Sequence, residues 1–364
     1  MSLLSRSASG VSASGARNTI RRMCRGPKLI AITGLLAVAA IAAGCSDGAS
    51  DAGGAADVAA ESTTTTTTAV AAPDATTVEE VLDLGRPVVL AHAGGENAHP
   101  HSTPYAYAES VAAGVDVLDV DVRLTGDGEL VVHHDEDVDR TTNGTGVVAD
   151  MTYDELHALD AAYWFTESCS ACTDQPADSY VLRGVRTGEV DPPEGYAPED
   201  FAVQRFADLA ARYPDHPLNI EIKGSFPEDL PAAQELARVL AEQDRARSAV
   251  VTSFDDELAE AFHQLAPEVA ITPGLDAMTK WVLLGEALPE GRTIVQIPPE
   301  YQGVELLTPD LVRRAHEQGL VLWIWPNERE WENRDGYDRL LDLGVDGINA
   351  ADPPTAVQVV RSRL

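Results

Sequence analysis

Eight short apolar runs constrain this chain most. They lie at Val88 to His92, Val117 to Arg123, Leu218 to Lys223, Ala249 to Phe254, Val269 to Thr272, Thr293 to Ile297, Leu320 to Trp325 and Val345 to Asn349. Each has the length of a strand, and most are separated by segments with helix signals. After Thr103, the stretch PYAYAESVAAG puts Pro104 at a first helical position and Gly114 past the end. Thr152 with Glu155 three residues on predicts a capping box for a second helix, YDELHALD. Strand and helix in alternation, eight times over, predict an α/β fold of the TIM-type (β/α)8 barrel kind. Residues 78–364 suit one such domain. Residues 163–199 break the rhythm with Cys169, Cys172 and four prolines and no period, which reads as an insertion placed to cap a site.

The second run belongs to a longer stretch, LDVDVRLTGDGELVVHHDED, which reads as a strand, a tight turn and a returning strand. Alternation puts Asp119, Asp121 and Arg123 on one face and Leu118, Val120 and Val122 on the other. Pairing Thr125 with Gly128 sets His134 opposite Asp119 and Val132 opposite Asp121, so His134 joins the aspartates and His133 points away. A slip of one residue would exchange the two histidines. In the LNIEIK run, Asn219, Glu221 and Lys223 share the face opposite Leu218, Ile220 and Ile222.

His92, Asp121, Glu221 and Lys223 all fall near the carboxyl ends of their strands, the end that carries chemistry in a barrel of this kind. Inward charges are costly unless compensated. Three carboxylates (Asp119, Asp121, Glu221) against one ammonium (Lys223) predict one divalent cation, and all-oxygen ligation favours Ca²⁺ or Mg²⁺ over zinc.

The amino terminus reads differently. Arg17, Arg21, Arg22, Arg25 and Lys28 precede an uncharged run, Leu29 to Ala43, ending IAAGC at Cys45, and Met23 would serve equally well as the start. This is a signal-peptide pattern over residues 1–44, with a lipobox-like end that would make Cys45 the lipidation site. Ordinary secretion and a retained anchor are the alternatives. Residues 45–77, rich in Ala and Thr and containing the run Thr63 to Thr68, read as a flexible tether. The protein is thus expected to be exported and held on the outer face of the cell membrane by a lipid anchor.

Formal net charge is -33, and six of the 26 basic residues but none of the 59 acidic ones precede Cys45. Processing would leave 59 acidic against 20 basic side chains, which argues against nucleic acid as a partner. With Cys24 in the leader and Cys45 lipidated, Cys169 and Cys172 remain, too few for a tetrahedral metal site and suited to a local disulfide in an exported chain.

An ordered set of short motifs spans Pro87 to Pro354: HAG at His92, DVD at Asp119, HHD ending at Asp135, RTTNGTG from Arg140, IEIK from Ile220, SF at Ser253 and GVDGI from Gly344. The set resembles the glycerophosphodiester phosphodiesterase family. The resemblance implies a TIM barrel and metal-assisted cleavage of a glycerophosphodiester to sn-glycerol 3-phosphate and an alcohol. It implies His92 and His134 as the catalytic pair, Asp119, Asp121 and Glu221 as metal ligands, and Lys223 near the substrate phosphate. Several positions depart from the pattern. Ala93 stands where the family has arginine, His101 where it has glutamate, Asp119 shortens a glutamate, Ile324-Trp325-Pro326-Asn327 stands for a Trp-Thr-x-Asn motif, and Ala351 replaces an aspartate. Arg123 or His101 would then be available to the phosphate, although Arg123 would otherwise pair with Glu129, and His99 and His101 would otherwise be solvated. A lysophospholipid or sphingolipid substrate handled in phospholipase D fashion stays open, as does a phosphodiester-binding barrel with weakened turnover.

Overall fold

The computed structural model describes residues 72–167, 169 and 171–364. Its strands are β1 (Val88–Ala91), β2 (Val117–Leu124), β3 (Leu130–Val132), β4 (Leu218–Ile222), β5 (Ala249–Thr252), β6 (Ala270–Ile271), β7 (Ile294–Ile297), β8 (Glu300–Tyr301), β9 (Val304–Glu305), β10 (Val321–Ile324) and β11 (Gly347–Ala350). Its helices are α1 (Val78–Leu82), α2 (Pro104–Ala113), α3 (Tyr153–His157), α4 (Phe206–Arg212), α5 (Leu230–Glu242), α6 (Asp256–Leu265), α7 (Leu275–Leu284), α8 (Pro309–Glu317), α9 (Arg334–Leu343) and α10 (Pro353–Arg361).

Eight parallel strands run in the hydrogen-bonded order β6, β5, β4, β2, β1, β11, β10, β7, and β3 adds to β2 antiparallel. Each of the eight is followed by a helix, so the sheet is a nearly closed (β/α)8 barrel, a TIM barrel, as the alternation of apolar runs predicts. The ladder stops between β6 and β7, and the chain beyond those two strands shapes the cavity described below. Both predicted caps form: Thr103 accepts from Ala106 N ahead of Pro104, and Thr152 and Glu155 close a capping box on α3.

The strands bury two unlike faces. Outward residues such as Leu118, Val120, Val122, Leu218, Ile220 and Ile222 join the helices in the main core. Inward residues at the amino-terminal end, including Leu90, Val117, Val250, Ile294 and Trp323, form a separate apolar floor. Gly347 on β11 makes room for that floor, since an added Cβ would fall 2.6 Å from Trp323 Cδ1. Val78 and Val81 of α1 close it from below. The folded part therefore starts earlier than expected. Within the stretch assigned to the tether, Ala75 is buried and Thr77 caps α1. The leader, Cys45 and the tether up to residue 71 lie outside the described residues.

Candidate functional site

Parallel register builds the site. Asp119 is aligned with Asn219, and Asp121 with Glu221, across β2 and β4. The lower pair joins a buried amide network. Asn219 Nδ2 donates to Asp119 Oδ1 at 2.5 Å, and Gln296 Nε2 donates to Asn219 Oδ1 at 2.7 Å. The upper pair sets two carboxylates side by side, and Lys223 Nζ reaches both, at 3.0 Å from Asp121 and 2.8 Å from Glu221. Burial raises the Asp119 and Glu221 carboxyls, outweighing Lys223 beside Glu221. At Asp121 burial is outweighed by Lys223 and the nearby imidazoles, and its pKa is lowered. Burial at Lys223 is in turn outweighed by the two acids, which hold it firmly protonated.

The hairpin pairs one residue out of the predicted register. Val132 faces Val122, not Asp121, and Leu130 faces Leu124. Thr125 N donates to Glu129 O, so three residues form the loop, with Gly128 at φ +89, where glycine is at ease. Strict alternation would now aim His133 at the aspartates. It does not: His133 N still donates to Asp121 O at 3.0 Å, but the chain leaves the sheet there and the side chain turns away. His133 turns into a buried contact with Asp137 O at 2.9 Å, while His134 lines the cavity. The predicted histidine is the one at the site, for a different reason.

His134 is held from both sides. Its Nδ1 lies 2.6 Å from Asp135 Oδ1, and Asp135 in turn accepts from Nε and NH2 of Arg140. Burial at Asp135 is outweighed by these two partners, which depress its carboxyl pKa. Arg123 Nε donates to the His134 carbonyl at 2.9 Å, bracing the backbone. Arg123 is not among the residues lining the cavity, contrary to its expected place at a phosphate, and Glu129 pairs with Arg205 instead.

His92 follows β1 and faces Glu96, one helical turn on, with Nδ1 at 3.1 Å from Oε1. The contact is ionic and not a well-directed hydrogen bond. Burial opposes a charged imidazole here, but Glu96, Asp119 and Asp121 outweigh it and raise His92 to about 10. His101 is buried, not solvated as expected. Its Nε2 lies 3.4 Å from Glu96 Oε2, Nδ1 meets Ser102 Oγ at 2.8 Å, and its ring meets His134 edge to face at 5.9 Å. Burial pushes His101 down to about 3, so it is neutral beside a charged His92. Ala93 takes the left-handed φ of 46° and is fully buried, so no guanidinium occupies that place.

His92, Asp119, His134, Glu221 and Lys223 line one cavity of about 700 Å³ at the carboxyl ends of the strands. Glu332 joins them from the loop before α9. Its Oε2 accepts from Tyr337 OH and from Ala351 N, its Oε1 is buried without a partner, and burial pushes it up to about 7. Sequence reasoning assigned no role to Glu96, Asp135, Arg140 or Glu332. The first three carried a local signal, an acid four residues after His92 and an acid and an arginine just after His134. Glu332 carried none. Among the described residues none of 163–199 lines the cavity, but Cys172, disulfide-bonded to Cys169, meets Arg329 of the cavity rim with its Sγ 3.8 Å from NH2.

The donor chemistry suits a hard cation. Asp121 Oδ2 is buried without a hydrogen-bond partner, beside two further carboxylates. Spacing differs: among the described residues no three His, Cys, Asp or Glu side chains stand close enough to enclose an ion. Lys223 bridges Asp121 and Glu221, and Asn219 engages Asp119.

A family model described as the glycerophosphoryl diester phosphodiesterase family matches residues 92–354. A glycerophosphodiester phosphodiesterase of Caldanaerobacter subterraneus subsp. tengcongensis is 29% identical over 283 residues, covering 75% of this chain and 98% of that one. Another, from Bacillus subtilis, is 28% identical over 272 residues, covering 74% and 84%. Among solved structures, a glycerophosphoryl diester phosphodiesterase domain from Mycobacterium tuberculosis matches with TM-score 0.58 at 19% identity, covering 75% of this chain and 98% of that one. An Oleispira antarctica phosphodiesterase, solved with the product sn-glycerol-3-phosphate, matches with TM-score 0.53 at 18% identity over 77% and 99%.

Proposed function

Because this chain belongs to the glycerophosphoryl diester phosphodiesterase family, and its relatives are phosphodiester hydrolases, we propose that it cleaves glycerophosphodiesters to sn-glycerol 3-phosphate and an alcohol with His92 and His134 as acid and base. The observation that carries this reading is the convergence of both imidazoles on one cavity with Asp119, Glu221 and Lys223.

The surroundings divide the labour. Asp135 favours the His134 tautomer protonated at Nδ1, leaving Nε2 to accept a proton from the attacking hydroxyl. Glu96 keeps His92 protonated, so it delivers a proton to the departing alkoxide. In the net reaction one water oxygen joins phosphorus and the bond from phosphorus to the head-group oxygen breaks. One water proton ends on that oxygen, and the other leaves the phosphate monoester for solvent. Lys223 attracts the phosphate oxygens, a role Ala93 cannot fill. Drawn closer together than they stand here, Asp119, Asp121 and Glu221 would hold a Ca²⁺ or Mg²⁺ ion, which would supply positive charge beside the phosphate oxygens.

The reading is tested by following glycerol 3-phosphate release from glycerophosphocholine with Ca²⁺, Mg²⁺ or EDTA, beside His134→Ala. Cation-dependent release lost in the variant is expected. No release by folded protein with any cation overturns it. Export and lipidation at Cys45 are part of the same proposal, resting on the leader pattern. Incorporation of labelled palmitate that survives Cys45→Ser would overturn the anchor.

A further inference from the structure

Positive charge is scarce in this cavity. Its lining carries five carboxylates, from Glu96, Asp119, Glu221, Glu328 and Glu332, against two permanent cations, Lys223 and Arg329. Lys223 is already bridged between Asp121 and Glu221, at 3.0 and 2.8 Å. A phosphodiester is a permanent anion, and it binds among carboxylates only where a cation is left to meet it. Ala93 supplies none.

Arg329 is the cation that remains. It lies exposed in the loop between β10 and α9, and among the described residues it enters no ion pair, although Glu328, Glu330 and Glu332 are its neighbours in sequence. Its side chain is held instead by sulfur, NH2 donating to Cys172 Sγ at 3.8 Å. That sulfur is itself fixed. Cys172 is bonded to Cys169, whose N and O exchange hydrogen bonds with Thr166 at 2.9 Å. Cys172 O accepts from Tyr180 OH at 2.6 Å, and Arg183 lies over the Tyr180 ring at 3.8 Å while donating to Tyr163 O. The closed loop keeps Sγ in the one rotamer that faces the rim, whereas a free thiol turns among three. Rotamer freedom that Arg329 gives up to this contact need not be lost again when an anion binds.

We propose that the Cys169–Cys172 loop positions Arg329 as a phosphate-binding guanidinium of this site, so that affinity for the substrate anion follows the redox state of the insertion. The inference rests on the phosphodiesterase reading of the cavity and leaves the bond cleaved unchanged. A planar guanidinium meets two phosphate oxygens at once, which the Lys223 ammonium cannot do. Both cysteines are half-buried, within reach of a small dithiol. Such a reductant gives two electrons and two protons, the S–S bond becomes two thiols, and the dithiol closes to a disulfide. Arg329 then loses its fixed neighbour, while His92 and His134 keep theirs.

The test measures kcat and KM for glycerophosphocholine, and glycerol 3-phosphate binding by calorimetry, on oxidised protein and on protein reduced with dithiothreitol until two further thiols titrate. Arg329→Gln is expected to raise KM and weaken glycerol 3-phosphate binding about tenfold with kcat nearly held. Reduction, or Cys169→Ser should the reduced protein unfold, is expected to raise KM roughly threefold in the wild type and to change nothing in Arg329→Gln, because both act through one side chain. Arg334→Gln, which removes the same charge at a position that does not line the cavity, tracks the wild type. Turnover with KM and glycerol 3-phosphate binding unchanged in Arg329→Gln overturns the inference and leaves the phosphodiesterase reading standing. A wild type indifferent to reduction, or an Arg329→Gln protein that still responds to it, overturns the inference as well. Folded protein that cleaves no glycerophosphocholine overturns the phosphodiesterase reading, and glycerol 3-phosphate binding, compared in the same way, then decides the inference by itself.

Discussion

The floor and the mouth of this barrel are built from the same strands and obey opposite rules. At the floor, Leu90, Val117, Val250, Ile294 and Trp323 point inward and are closed by α1. Two residues further along the strands, the inward positions become His92, Asp119 and Thr252, and β4 contributes Asn219, Glu221 and Lys223. Area removed from water stabilises the floor, and any side chain of similar shape would serve. The mouth is stabilised only as a set, because each buried charge depends on its neighbours, and removing one partner leaves another unpaired. Stability is thus concentrated at one end of the strands and reactivity at the other.

Four substitutions test this division. The largest effect is expected from His134→Ala, a loss of about a thousandfold in kcat with the melting temperature nearly unchanged, measured by turnover and thermal unfolding together. A parallel fall in stability would mean that His134 belongs to the packing.

Trp323→Ala is the converse. It should cost about 4 kcal/mol in denaturant unfolding while kcat per folded molecule holds. If activity falls with stability, floor and mouth are not separable.

Lys223→Met sharpens the comparison at the mouth, where Asp121 and Glu221 would lose their shared partner. Destabilisation of roughly 3 kcal/mol is expected without added cation. Millimolar Ca²⁺ should restore more of the melting temperature in the variant than in the wild type, since an ion would take over the role of the ammonium. Equal shifts in both proteins would remove these carboxylates as a cation site.

The smallest effect concerns Glu332, which the fold holds at about 7 by burial. Its unfolded value is about 4.3, so the folded state keeps a proton that the unfolded state releases, and stability falls as pH rises from about 4.5 to about 7. Glu332→Gln removes that loss. Its stability relative to the wild type should therefore be higher at about pH 8 than at about pH 4.5, by on the order of 2 kcal/mol. A floor substitution such as Ile294→Val should show no such pH difference, and a Glu332→Gln margin that is flat with pH would mean the carboxyl is solvated.

Much of this was legible beforehand because it is local. Period-two alternation in β2 and β4 announced the inward Asp119, Asp121, Glu221 and Lys223 before any partner was known. The hairpin shows the limit: its register turned on the backbone angle of Gly128, which residue type permits but does not dictate. His101 looked like a loop histidine until the turn after β1 folded it beneath Glu96 and against His134.

The sequence alone determined the strand and helix order, the caps at Thr103 and Thr152, and which carboxylates face inward, because propensity and alternation act between near neighbours. Only the tertiary structure decided that His134 and not His133 enters the cavity, that Lys223 bridges two acids from adjacent strands, and that Glu332 arrives from a distant loop. Those outcomes depend on register and on strand ends meeting across the barrel, distances that no single segment encodes.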